Sequence, residues 1–332
     1  MSRTLSAVAV AAALLFSQTA LAADTRTLCV YDPMGTNGPA YKNAQAMAIE
    51  SVAKGVSFTL RADVEERTAA DDLVAGKCDA ILVTGISARG FGLASATVEA
   101  IGALPRYDWL KSTLAYLKDP RMAAKMKSGA YENGGIYPAG AVMLYGRDKA
   151  WRKSTDLAGK SIAIISADKA AETMARTVGM STKSATTATF GPMFNSHSVD
   201  TIYAPATAYE PLELYRGIGT TGGIINFTLS QLTLQVVLRA DRFPAGFGQW
   251  AREYAYNYFD KALAVVKQSE AKVAPKLLTI PDADKPGYDT LFQKVRLTLR
   301  DGGVYDSTIL GLMRRVRCAS EAARAECAEA KE

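Results

Sequence analysis

A single histidine, His197, in 332 residues leaves little room for the acid–base and metal chemistry that imidazole usually supplies. The chain also lacks a CxxC pair, a phosphate-binding glycine loop, a metal-ligand helix and a dinucleotide fingerprint. Gly85-Ile86-Ser87-Ala88-Arg89 comes nearest to a nucleophile elbow and misses its fifth position. A hydrolase is therefore disfavoured, and His197, set in Asn195-Ser196-His197-Ser198, reads as a loop residue. The net charge of +6 is spread among acids with no basic stripe carrying interleaved aromatics, which excludes nucleic acid as a partner. Beyond the first residues, no uninterrupted apolar stretch approaches the length of a membrane span.

What is present begins with a leader. Arg3 precedes the apolar run Ala7 to Phe16, and Ala20-Leu21-Ala22 follows a polar break, so residues 1–22 read as a secretory signal peptide. The expected compartment is the periplasm of a Gram-negative cell. Ala23 and Asp24, not a cysteine, follow the cleavage site, which argues against a lipid anchor. About 310 residues remain, a size that divides more naturally into two lobes than it packs as one. Cys29, Cys78, Cys318 and Cys327 suit an oxidising compartment, in which they allow three pairings. Cys29 with Cys78 and Cys318 with Cys327 is favoured, because the first two open strands and the last two are close in sequence. A zinc site is the runner-up, with the wrong spacing and a remote histidine.

Along the chain, Arg26 to Tyr31 reads as a strand that stops at the turn formers Asp32 to Pro39, and Ala40 to Lys54 as a helix ended by Gly55. Val56 to Leu60, Arg67 to Ala75 and Cys78 to Val83 then give strand, helix and strand. This βαβαβ order predicts a parallel sheet whose ligand meets the loops at the carboxyl ends of the strands, Tyr31 to Asn37 and Thr84 to Arg89. A helix is expected over Tyr107 to Lys127, then Tyr131 to Gly140 breaks the pattern and a strand begins at Ala141 to Tyr145, the route into lobe two. A second αβ unit follows: strand Ser161 to Ser166, helix Asp168 to Val178, strands Ala185 to Thr189 and Val199 to Tyr203, and helix Pro211 to Arg216. Ile224 to Phe227 and Gln231 to Leu238 carry the chain back, and the two crossings make a hinge. Phe247, Trp250, Tyr254 and Tyr258 recur on one helical face, which reads as core.

Asp156-Leu157-Ala158-Gly159-Lys160 and Ser198-Val199-Asp200, each ahead of a strand, resemble the solute-binding (DctP-like) subunits of tripartite ATP-independent periplasmic (TRAP) transporters. Ile101-Gly102-Ala103-Leu104-Pro105, the run Ala204 to Tyr215 and Phe243 to Gln249 are similar, more closely still, to the AdeT-type solute-binding proteins. The resemblance covers nearly all of the mature chain. It implies an α/β, two-lobe periplasmic-binding fold of the type II, TRAP-like kind, with hinge strands and a helical C-terminal region. The divisions expected are lobe one over 23–143, lobe two over 144–228, a return strand and helix over 229–287, and a tail over 288–332. It further implies a monomer that uses no cofactor and performs no chemistry, and that delivers a small solute to inner-membrane transporter subunits. An efflux adaptor, which the naming of such relatives would suggest, needs long heptad helices that are not found; a sensing role stays open beside uptake.

Two departures bear on the ligand. TRAP-type proteins that bind organic acids carry an arginine in the strand after the first motif, where its planar donors grip a carboxylate. Here that position aligns with Ala163, and the family's asparagine with Ala204. The expectation tilts toward a neutral or cationic ligand. Candidate contacts are Tyr31, Asp32, Asn37, Thr84, Ser87 and Arg89 from lobe one, and Ser166, Asp168, Thr207, Tyr209 and Glu210 from lobe two. Tyr145, Arg147 and Gln231 lie near the crossings. Asp32 before Pro33 has an alternative role as a turn acceptor, Asp168 as a helix cap, and Arg147 as an ion-pair partner.

Overall fold

A computed structural model describes residues 23–332, so the leader expected over 1–22 lies outside the described residues. The chain opens with β1 (Asp24–Tyr31), α1 (Pro39–Ser51), β2 (Val56–Asp63), α2 (Glu66–Val74) and β3 (Ala80–Thr84). Two short helices, α3 (Gly85–Ala88) and α4 (Leu93–Ala96), lead to α5 (Tyr107–Leu117), the brief β4 (Lys127–Ser128) and the long β5 (Tyr131–Gly146). Then come β6 (Ser161–Ile165), α6 (Lys169–Thr177), β7 (Ser181–Ala185), α7 (Thr187–Asn195), β8 (Thr201–Pro205), α8 (Leu214–Ile218) and β9 (Gly223–Arg239). The chain finishes with α9 (Phe247–Asn257), α10 (Phe259–Val273), β10 (Leu277–Leu278), α11 (Lys285–Asp301), α12 (Ser307–Ser320) and α13 (Ala325–Ala328).

The strands lie in the order β2-β1-β3-β9-β5-β8-β6-β7. The two ends are parallel units, β2-β1-β3 and β8-β6-β7, each built from strand–helix–strand crossovers. Between them β9 and β5 pair antiparallel along 17 and 16 residues, a reach of roughly 50 Å that only strands shared by both units need. These are the two crossings, and the fold is the expected α/β arrangement of two lobes. The pairing is broken where the lobes meet: Val142 faces Ser230 but Leu144 faces Ile225, so Asn226 to Leu229 bulge out of β9. The bulge is docked, with the Phe227 ring stacked on Tyr288 of α11 at 4.7 Å and Leu229 O accepting from Gly102 N at 2.6 Å.

Several local expectations are corrected. Tyr131 to Gly140 does not interrupt the regular structure: it is the first part of β5, which carries the chain into lobe two. Its glycines serve packing: a Cβ on Gly135 (φ +143°) would lie 2.6 Å from Ala255 Cβ of α9, and one on Gly134 2.8 Å from Leu238 Cδ1. Ala185 to Thr189 is not one strand, because Thr186 and Thr189 form a reciprocal capping box that starts α7. The helix from Tyr107 stops at Leu117, ahead of Asp119-Pro120, since a residue before proline is pushed out of the helical region. Pro211 to Arg216 becomes α8 from Leu214, preceded by Glu213 in the left-handed region.

The aromatic stripe is core as expected. Phe247 is buried, and Trp250, Tyr254 and Tyr258 follow along α9 with successive ring centroids 5.0 to 5.8 Å apart. Both expected disulfides are present, Cys29–Cys78 bracing β1 against the entry to β3 and Cys318–Cys327 closing the turn between α12 and α13. The C-terminal helices lie across both lobes, α12 on α5 and α11 on α6. They carry a buried ionic cluster in which Arg296 and Arg317 each bind Glu326 and Glu332 at 2.5 to 2.6 Å. The same arginines donate to Ile101 O and Ala103 O, so the cluster fixes the loop that leads away from α4. Burial alone would raise the Glu326 carboxyl, but the Arg317 hydrogen bond and the surrounding positive charge hold it at about 2.

Candidate functional site

The carboxyl end of β3 carries the most unusual chemistry in the molecule. Thr84 N donates to Glu66 Oε1 at 2.6 Å, and Gly85 N donates to Glu99 Oε1 at 3.1 Å. Glu99 Oε1 also receives Thr233 N and Thr233 Oγ1, both at 2.7 Å, which joins the end of β3 to β9. A Cβ on Gly85 would overlap the Glu99 carboxyl group, so glycine is what lets that acid sit there. Both acids are buried, and burial pushes their carboxyls up, Glu99 to about 7.

Between the lobes lies a cavity of about 80 Å³. Lobe one contributes Ile86, Arg89, Glu99 and Ile101; the crossing strands contribute Val142, Leu144, Ser230 and Leu232. Lobe two closes it with Ile162, Asp168, Met174 and Tyr203. The walls are mostly apolar, and the polar groups gather at one locus. Asp168 caps α6 by accepting Ala171 N at 2.9 Å and takes the Tyr203 hydroxyl on its other oxygen at 2.9 Å. Desolvation raises the Asp168 carboxyl above the usual range and pushes the Tyr203 phenol well up. Arg89 donates to Val304 O at 2.6 Å and Ala96 O at 3.2 Å, with its guanidinium 5.3 Å from the Tyr305 ring centroid.

The structure brings two of the anticipated residues, Arg89 and Asp168, to the cavity wall. Thr84 Oγ1 and both amide atoms of Gln231 are buried without a hydrogen-bond partner among the described residues. Tyr31 and Ser87 lie close by: Ser87 is beside Glu66, and Tyr31 lies against Thr187 of lobe two, its phenol pushed up by burial and by Glu66. Thr187 Oγ1 also donates to Glu65 Oε2 at 2.8 Å, a direct bond between the lobes.

The other candidates are occupied elsewhere. The Asp32 carboxylate accepts Met34 N, Ala40 N and Tyr41 N, which makes it the structural cap of α1, and Asn37 is exposed in the turn before that helix. Tyr145 is core and donates to Pro205 O, Tyr209 packs beside it, and Thr207 ties to Ala139 O. Arg147 donates to His197 O and pairs with Asp200 at 3.9 Å, beyond the opposite end of β8. Ser166 is exposed and bonds Ser184, while Glu210 pairs with Lys272 on the surface. Ala163 and Ala204 are buried in lobe-two core on the sheet face opposite Ile162, so neither position reaches the cavity.

Sequence reasoning missed Glu66, Glu99 and Tyr203. Glu99 stood as a lone acid between Val98 and Ala100-Ile101, a pattern that marks a buried carboxylate with a purpose. Among the described residues no helix is long and apolar enough to cross a membrane, and no group of three or more His, Cys, Asp and Glu side chains is placed to hold a metal.

The fold has many solved counterparts. A TRAP periplasmic solute-binding protein from Desulfovibrio salexigens, crystallised with orotic acid, superimposes with a TM-score of 0.74 at 11% identity, over 89% of this chain and 99% of that one. DctP7 of Bordetella pertussis, an extracytoplasmic solute receptor binding pyroglutamic acid, gives 0.69 at 13% identity over 89% and 100%. In sequence, the probable solute-binding protein AdeT1 of Acinetobacter baumannii is 31% identical over 300 residues, 90% of this chain and 99% of that protein. The family model described as solute-binding protein AdeT 1/2 matches residues 45–332. With a full-length relative above 30% identity and the fold in agreement, the chain belongs to the AdeT 1/2 solute-binding protein family.

Proposed function

We propose that this protein works in the periplasm as a monomeric solute-binding protein, captures a small molecule between its lobes and passes it to a membrane transporter. The observation that carries the reading is the interlobe cavity itself, with Ile86, Arg89 and Glu99 on one side and Ile162, Asp168 and Tyr203 on the other. A solute touching both walls favours the closed arrangement over an open one by its differential contacts, which is how ligand binding drives domain closure. Lobe one is read as 23–143 with 229–287, lobe two as 144–228, and the helices of 288–332 as a brace across both.

The role is binding without chemical conversion. The lobe-two neighbours of the cavity are aliphatic apart from Asp168 and Tyr203, which bond each other, and the one histidine of the chain sits near Arg147, away from it. Native mass spectrometry of the protein freshly purified from the periplasm tests this. A retained small molecule, released unchanged on denaturation, is the expected result; no adduct, or a chemically altered one after incubation, would contradict it.

A further inference from the structure

The charges of the cavity do not balance. Glu99 from lobe one and Asp168 from lobe two face the same space, and among the described residues Arg89 is the one cation in its wall. Each terminal nitrogen of Arg89 is already turned onto a backbone carbonyl, Val304 O or Ala96 O, and Tyr305 covers its guanidinium face. Two of its five N–H groups are thereby engaged, and its single charge is shared between Glu99 and Asp168. Asp168 has a donor on each oxygen, but Glu99 takes all three of its bonds on Oε1, which leaves Oε2 without a hydrogen bond from the described residues. The remaining wall is hydrocarbon, with Ile86, Ile101, Leu144, Ile162 and Met174 among it.

Resting on the reading of this cavity as the solute site, we infer that its ligand is a small apolar organic cation, a protonated amine on a hydrocarbon body whose N–H groups bond Glu99 Oε2. An ammonium supplies both what the wall lacks, a donor for that oxygen and a positive charge between two carboxylates. An anion would add a third negative charge to a desolvated space. The space of about 80 Å³ has room for a ligand of roughly five to eight heavy atoms, since one water takes on the order of 10–15 Å³ of such volume. The charged and titratable groups facing Glu99 are Arg89, Asp168 and Tyr203. Burial lifts Glu99 to about 7, so an ammonium that stabilises its ionised form displaces a proton near neutrality, and affinity rises with pH through that range.

The test uses three molecules that share one ring and fit that space, cyclopentylammonium, cyclopentanol and cyclopentanecarboxylate, titrated calorimetrically into the mature protein at about pH 8, above the Glu99 titration. The expected order places the ammonium at least about tenfold tighter than either isostere, with Glu99→Gln erasing that preference. Asp168→Asn, which keeps the cap geometry, is expected to reduce the preference as well and serves if the first variant does not fold. Tightest binding of the carboxylate, or an order indifferent to both substitutions, overturns the cation assignment while the solute-binding reading stands. Failure of all three to bind overturns the assignment too, and the broader reading falls with it only if native mass spectrometry also finds no retained solute.

Discussion

Thr187 Oγ1, at the start of α7, donates to Glu65 Oε2, just ahead of α2, a 2.8 Å bond that joins the two lobes. Both residues are local to turns in their own lobes, so the bond exists only when the lobes are together. A hydrogen bond to a charged acceptor contributes on the order of 1.5–3 kcal/mol. Thr187→Val removes it with little change of shape. The unliganded variant is expected to have a larger radius of gyration in small-angle scattering, and affinity for a retained solute should drop roughly tenfold.

Glu99 makes stability depend on pH in a definite direction. The folded chain holds its proton up to about 7, whereas the unfolded value is near 4.5, so the native state binds more protons across that window. Stability contributed through this group therefore falls as pH rises from about 4.5 to about 7 and is flat above, a change on the order of 3 kcal/mol. Glu99→Gln is expected to gain on the parent protein at about pH 8 and to match it near pH 4, read from urea midpoints. Glu66 and Asp168 are raised in the same sense and keep their share of the slope in that variant.

Arg317 is buried among Glu326, Glu332 and Ala103 O. Arg317→Met leaves Glu332 with Arg296 alone and Glu326 with Arg296 and Arg324, and it releases Ala103 O in the loop that supplies Ile101 to the cavity. A loss of about 3–5 kcal/mol in denaturant unfolding is expected, because breaking a buried pair strands the remaining charge.

The two disulfides should contribute unequally. Cys29–Cys78 spans 49 residues and Cys318–Cys327 spans 9, so the loop-entropy argument gives about 4 kcal/mol for the first and about 3 for the second. Paired alanine substitutions compared by urea denaturation check the order, with the larger loss expected for Cys29→Ala with Cys78→Ala.

The alternation of apolar, β-branched runs with helical spacings made the βαβαβ start legible, and Cys29 and Cys78 were placed on it correctly. Tyr131 to Gly140 was illegible because its glycines answer a helix packed against the strand, Ala255 over Gly135, and nothing local distinguishes that need from a turn. Thr186 to Thr189 looked β-prone, yet the same hydroxyls cap a helix. In the site, Arg89 and Asp168 were visible as polar residues at strand ends. Asp32 had the same signature and went to a helix cap, since only the chain path decides whether amides or solute fill its oxygens. Glu99 and Tyr203 come from a short helical turn and a strand interior, positions that a search of strand-end loops passes over.

Closure around a solute is measured most directly as a distance across the cleft. Every native cysteine is paired, so spin labels at Val74→Cys on α2 and Thr189→Cys on α7, both exposed, attach where they are introduced. With the solute recovered from the purified protein added back in excess, the interlabel distance is predicted to shorten and its distribution to narrow relative to solute-free protein. An identical distribution in both samples would contradict capture by lobe closure.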